Sequence, residues 1–467
     1  MTDTQRYTLD LVDGRLTDKQ LKDVVSYMWL RAAHFERIRT YYEGDDYGIY
    51  HAPVRRAVPV PYGRSIINTI SGYMFKPGFI GYSSDNEPYK EQLDEVFYHN
   101  HEELTTSQLG KTASTYGVAY ELHYMAPTEE GVMPGFVEVP PAEMLAIYST
   151  DISDDDIQAA VRWYEIDKTE YIDIYYADVV EHYWKRKSGP ARKVTTTVQD
   201  ANGKAHEEEL IEPHYYGRVP VVEYENNRER RGDFEHIIPM IDAYDVLMSD
   251  SITEVEKLAE AYLVLTNANI RDEDIDDMRR KRILELMGEQ SKAEFLVKNV
   301  DPALLTFIRD WIRDEIHKQA QVPDMSDESF GGTQSGIAIR YKLNTLENLC
   351  AVKEAYFQRG LFNRLLLLDA MMNIVYGDIG VVREIEITFT RNIPMNYVEI
   401  AQIVAQLRGH VSLQTLLEQV VPFVTNAADE LERIEEESDP YRMDDPLPEI
   451  EPDEDEVEDE DARLTES

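Results

Sequence analysis

Apolar positions recur at helical spacing through the first quarter of the chain, alternate with polar ones through the next, and return to helical spacing for most of the remainder. Across residues 17–42, Leu21, Val25, Met28 and Leu30 mark one side of a helix, Thr17 takes the capping position, and Gly44 follows the stop. Residues 65–75 form a second helical run closed by Lys76-Pro77-Gly78, and 91–100 and 107–115 suggest two more. From about 118 to 224 tyrosines and β-branched residues alternate with polar ones, as in Tyr171-Ile172-Asp173-Ile174-Tyr175, and prolines at 127, 134, 140, 141, 190, 213 and 220 punctuate the run. The stretch 193–198 followed by Asp200-Ala201-Asn202-Gly203 reads as a hairpin. This region is predicted to be mostly antiparallel β-structure.

The pattern then lengthens. Ile238, Ile241, Leu247, Ile252, Val255, Leu258, Tyr262 and Leu265 predict one helix over 237–267, about 45 Å long at ~1.5 Å per residue. A short charged segment carries acids at 272–277 and bases at 279–282, then a strand at 293–297. Leu305, Ile308, Ile312 and Ile316 predict a second amphipathic helix over 302–319. A polar loop over 321–334 holds Pro323, Asp324, Asp327, Glu328, the Gly331-Gly332 pair and one large apolar residue, Phe330. A polar loop with a single exposed aromatic is costly unless it is put to use. A helix over 335–376, a strand over 383–391 and three short helices over 394–408, 412–421 and 426–437 complete the ordered part. From 438 onward the chain is acidic, proline-bearing and poor in apolar residues, as in disordered segments. The fold class is α+β.

At 467 residues the chain has room for two or three domains. Its 90 acids against 47 Lys and Arg give a net charge of −43. Such a balance suits either a surface that repels partners or a host with a salty cytoplasm, and acid spread along the folded part favours the second. It argues against wrapping DNA by phosphate neutralisation, though not against letting DNA slide past. No long uncharged apolar window predicts a membrane span, and the N-terminus lacks the order of a signal peptide, so synthesis in the cytoplasm is expected. The single cysteine, Cys350, falls in a helical pattern and reads as a small buried hydrophobe.

Catalytic patterns are missing. Gly331 to Gly336 has the glycine spacing of a phosphate loop, but Ile337 stands where the lysine belongs. His99-Asn100-His101 is read as a chance tripeptide, and the runs 154–156 and 272–277 as solvated acid rather than cation sites. Nothing assembles a nucleophile, a base and an orienting partner. No catalytic residue, cofactor or metal ligand is expected.

Four segments, in order, resemble the portal proteins of long-tailed double-stranded DNA viruses. They are residues 65–75 with Asn68, Gly72-Tyr73 and Lys76-Pro77; residues 242–250; Pro323-Asp324-Met325 with Phe330-Gly331-Gly332 and Ser335-Gly336-Ile337-Ala338; and residues 389–396. The resemblance spans about residues 20–437 and implies a ring of subunits, usually twelve, around a DNA channel. By that resemblance 1–236 is the wing, with 377–394 returning to it. Residues 237–268 and 302–320 are paired stem helices, and 269–301 are the clip. Residues 321–334 are the channel loop, 335–376 a long helix and 395–437 the crown; 438–467 remain an acidic tail. The loop residues are Val322, Pro323, Asp324, Met325, Ser326, Asp327, Glu328, Ser329, Phe330, Gly331, Gly332, Thr333 and Gln334. Arg309, Arg313, Lys318, Arg340 and Lys342 are candidates for DNA-backbone contacts, with pairing to Asp310, Asp314 and Glu315 as the equal alternative. Asp272, Asp274, Arg279, Arg280, Lys281 and Arg282 form the candidate clip docking surface. Implied partners are further copies of the chain, double-stranded DNA, the terminase large subunit, a head-completion adaptor and the major capsid protein, with no membrane. The implied location is the virion, reached from the host cytoplasm during assembly. The competing readings are a carboxylate-based metal-dependent nuclease and a minor capsid or scaffold protein.

Overall fold

The computed structural model describes residues 6–45, 57–128, 131–186, 189, 191–199, 205–258, 262–266, 292–296, 301–325, 336–377, 380–391 and 397–421, with isolated positions up to 434. The chain divides into two compact units, 1–393 and 394–467.

The first unit opens with a short strand β1 (Tyr7–Thr8) and helix α1 (Asp18–Glu43). Thr17 and Gln20 form a reciprocal capping box, and Gly44 ends the helix in the left-handed region at φ 87°. Its buried stripe is Leu21, Val24, Met28, Arg31, Phe35, Ile38 and Tyr41. Leu30, expected on that stripe, is exposed, because two residues beyond Met28 lies about 200° around the helix. Helix α2 (Tyr62–Met74), β2 (Ile80–Ser83), α3 (Glu87–His99) and α4 (Glu102–Tyr116) follow. Asn100, from the His-Asn-His tripeptide, joins α3 to the sheet. Its side chain accepts from the Phe136 N–H at 3.0 Å and donates to the Val96 and Pro134 carbonyls.

The β region forms as the alternation predicts. It comprises β3 (Val118–Thr128), β4 (Gly131–Val139), β5 (Met144–Tyr148), β6 (Ile157–Ile166), β7 (Thr169–Tyr175), β8 (Val179–Arg186), β9 (Arg192–Lys193), β10 (Thr195–Gln199), β11 (Ala205–Glu209), β12 (Ile211–Pro213) and β13 (Val221–Glu225). One sheet runs β1-β5-β6-β7-β8-β12, with β9 also on β8; a second runs β13-β3-β4. Within these sheets only β1 pairs in parallel, on β5. Along β5 and β6 alternate residues serve two cores. Leu145, Ile147, Ala159 and Val161 meet α1 at Leu21, Val24 and Met28, while Met144, Ala146, Tyr148 and Ala160 meet Val118, Tyr120, Val139 and Val221.

Helix α5 (Ile238–Leu258) ends well short of 267. Residues Tyr262–Thr266 form instead a strand, β14, antiparallel to β15 (Lys292–Leu296). A five-residue apolar run fits a helical stripe and a strand equally, and the downstream partner strand decides between them. The helix is therefore 21 residues, about 31 Å rather than 45 Å. Helix α6 (Pro302–Ala320) and the 40-residue α7 (Gly336–Val375) follow. The strand expected over 383–391 is shorter: a helical turn at Val382–Glu384 precedes β16 (Glu386–Phe389), which pairs with β2. The largest core gathers around α2, whose Ile66, Ile67, Ile70 and Met74 are fully buried. Where α7 lies on β13 it presents Gly360, and any side chain there would overlap the Tyr224 ring.

In the second unit, α8 (Tyr397–Leu407) and α9 (Leu413–Gln419) form a small core with Leu417, Val421 and Ala427. Ser412 caps α9. Residues 392–396, most of the helix expected over 426–437 and the acidic tail 438–467 lie outside the described residues.

Candidate functional site

Helices α5 and α6 pack side by side and share one core with α2 and the first turns of α7 through Ile241, Tyr244, Ile312, Ile316, Leu343 and Leu346. Asp301 caps α6, accepting from the Ala303 N–H at 2.9 Å, with Pro302 opening the helix. At its other end Gln321 turns the chain at φ 58°.

The segment leaving α6 is clamped at its root. The Val322 N–H donates to the His317 carbonyl at 3.1 Å, and His317 Nδ1 donates to the Val322 carbonyl at 3.2 Å. The His317 ring meets Tyr62 edge-on, and Tyr62 meets Tyr244 the same way. Val322, assigned from the sequence to the projecting loop, has its side chain buried in the core. Its neighbours Pro323 and Asp324 are half-buried and Met325 is exposed. The Asp324 carboxylate lies 3.8 Å from Arg313 Nε and 4.0 Å from His317 Nε2. Ser326, Asp327, Glu328, Ser329, Phe330, Gly331, Gly332, Thr333 and Gln334 lie outside the described residues.

The candidate cations of α6 are each engaged by carboxylates of their own helix. Arg309 donates to Asp310 at 2.8 Å, Arg313 reaches Asp314 at 3.2 Å and Asp310 at 3.8 Å, and Lys318 meets Glu315 at 3.1 Å. Lys342 is half-buried, and the Arg340 side chain is not among those described. Asp272, Asp274, Arg279, Arg280, Lys281 and Arg282 likewise lie outside the described residues. The run 154–156 is not simply solvated: Asp155 pairs with both Arg6 and Arg359, and Asp156 with Arg218 at 3.4 Å. Leu304, Phe307 and Trp311 form an exposed apolar stripe on α6.

Two features are not visible in the sequence. The first gives the 242–250 signature a physical role. Asp245 accepts from the Val60 N–H and Ser249 from the Val58 N–H, each at 3.0 Å, so an extended strap over 57–60 lies along α5; Tyr41 donates to Asp242 at 2.8 Å. The second is a pair of buried cations on α7. Lys353 donates to Ser114 Oγ at 2.8 Å and Asp233 at 2.6 Å, and also to Asn226. Arg364 donates to Glu121 at 3.0 Å, Glu102 at 2.8 Å and Thr106 at 2.7 Å. Burial pushes the Glu121 carboxyl up, but Arg364 and His123 more than offset it and hold it at about 2. Burial likewise disfavours the Arg364 charge, yet Glu121 and Glu102 raise it well above its usual value. No local signal marks either residue, because the partners lie far away in the chain.

Among the described residues no three His, Cys, Asp or Glu are grouped to hold a metal, and no helix is long and apolar enough to cross a membrane.

Comparison with known proteins agrees with the resemblance. The portal protein of Bacillus phage SPP1 is 26% identical over 378 residues, covering 78% of this chain and 72% of that protein. The portal protein of Clostridium phage phiCD119 is 22% identical over 218 residues, covering 45% of this chain and 47% of that protein. The family model described as phage portal protein, SPP1 Gp6-like, matches residues 22–441. With nearly its whole folded length matched, the chain belongs to the SPP1-like phage portal protein family.

Proposed function

We propose that this chain is the subunit of a ring, of twelve copies as is usual in the family, that sits at one capsid vertex and passes double-stranded DNA during packaging and ejection. The observation that carries the reading is a packed helix pair whose second member, α6, ends in a segment clamped at its root by Val322 and His317, ahead of the long helix α7. A projecting segment needs such a rooted base to hold its position while DNA moves past.

In this reading α5 and α6 are the stem, β14 and β15 belong to the clip, and 321–334 is the channel loop. The two sheets with α1–α4 form the wing, to which β16 returns, and α8 and α9 belong to the crown. The clip faces the terminase large subunit and then the head-completion adaptor, and the major capsid protein surrounds the wing. The role is structural rather than catalytic. The α6 cations, already held by Asp310, Asp314 and Glu315, leave passing phosphates few tight partners, which suits sliding.

Negative-stain microscopy of the purified protein in molar and in low salt tests this. Rings with a central hole are expected, and their loss in low salt would point to a halophilic host. DNA cleavage or ATP hydrolysis by ring-free protein would overturn the reading in favour of a nuclease or a motor.

A further inference from the structure

Between 341 and 362, all nine exposed positions of α7 are uncharged, in a chain that is 29% charged. Tyr341, Asn344, Asn348, Val352, Ala355 and Gln358 follow one side of the helix over roughly 25 Å. The charged residues nearby are used within the chain, including Arg359, which continues the same side one turn beyond Ala355. Glu347 and Glu354 hold Arg391, Lys353 holds Asp233, and Arg359 holds Asp155. Tyr341 and Val352 are large apolar side chains left in solvent. Depletion of charge with retained apolar and small polar residues is the compositional mark of an interface core.

The charge balance points to the occupant. Copies with a net charge of −43 repel each other over most of their surface. They approach at least cost where neither a carboxylate nor a lone cation must be desolvated. A duplex would be held by cations, and Arg359, which borders this face, is already engaged by Asp155. We infer that the uncharged face of α7 is covered by an adjacent copy of this chain. The inference rests on the ring reading and specifies which surface closes the ring. A face on one helix that meets a different surface of its neighbour makes a head-to-tail contact, the kind that generates rings when the rotation closes.

The test introduces charge into the face with Asn348→Glu and Ala355→Glu, with Thr196→Glu, at an exposed position of β10, as the control. Ring yield is read by light scattering and microscopy, and folding by circular dichroism. Wild type and Thr196→Glu should form rings, while both face variants should lose at least tenfold in ring yield and keep a native spectrum. Rings at wild-type yield from both face variants would overturn the inference and leave the ring reading standing. Absence of rings from wild type in both salts would overturn the ring reading and the inference with it. If the variants misfold, p-benzoylphenylalanine at position 352 of otherwise wild-type rings decides by irradiation with and without linear duplex. A covalent dimer of chains supports the inference, whereas adducts only within one chain or only to DNA refute it.

Discussion

Arg364 on α7 and Glu121 on β3 stand 243 residues apart in the chain and meet with no solvent exposure on either side chain. The Arg364 guanidinium also reaches Glu102 and Thr106, so one cation joins α7, β3 and α4. Removing it leaves two buried carboxylates without their guanidinium partner. Arg364→Met is expected to lower unfolding stability by about 3–5 kcal/mol, read from the denaturant midpoint. A loss within the range of an exposed pair would show that the site rehydrates and is not a rigid pin.

The same pair has a pH signature. The Glu121 carboxyl is held at about 2, below its ordinary 4.5. Its stabilisation is therefore complete above about pH 4.5 and is lost as pH falls through about 2. The stability gap between wild type and Glu121→Gln should be widest at neutral pH and narrow steadily between those limits. A gap that stays constant across that range would contradict the assignment.

Much of the architecture is legible in the sequence because it follows local rules. The cap at Thr17, the alternation from 118 to 224 and the amphipathic helix from Pro302 each depend on residues a few positions apart. Tyr262–Thr266 departs from its helical pattern because it pairs with Lys292–Leu296, which no local rule reveals. The candidate site divides the same way. Helices α6 and α7 on either side of the candidate loop follow from their apolar spacing, but the clamp between Val322 and His317 arises from three-dimensional packing. Arg364, Lys353 and the bonds of Asp245 and Ser249 to the strap are hidden because their partners lie far off in sequence.

Cys350 is fully buried, and burial pushes its thiol up to about 12. The native protein at pH 8 should react with iodoacetamide on the order of a thousandfold more slowly than the protein in denaturant, because the thiolate is the reactive form. Rapid native labelling would mean that the contact of α7 with α2 opens readily.

Arg309, Arg313 and Lys318 each meet a carboxylate on α6 and are partly or largely exposed. Changing all three to Gln should cost no more than about 1 kcal/mol per pair, measured by thermal melting. Packaged DNA per particle should be unchanged. A fall in packaging at normal ring yield would assign these residues to the DNA backbone.

Gly360 gives α7 its close approach to Tyr224. Gly360→Ala is expected to destabilise by about 1–3 kcal/mol through overpacking, and Tyr224→Leu should recover part of that loss when combined with it. Equal melting temperatures for Gly360→Ala and wild type would show that the helix and strand separate easily.

The strap over 57–60 has a mechanical consequence. Its two N–H groups, at Val58 and Val60, are held by Ser249 and Asp245, which lie one turn apart on α5. Rotating α5 by a single residue, about 100°, would carry both acceptors away from the strap. The helix is thus keyed, like a shaft in a slot. A torque on α5 is handed to the strap and, through Asp242 and Tyr41, to α1 rather than spent in free rotation.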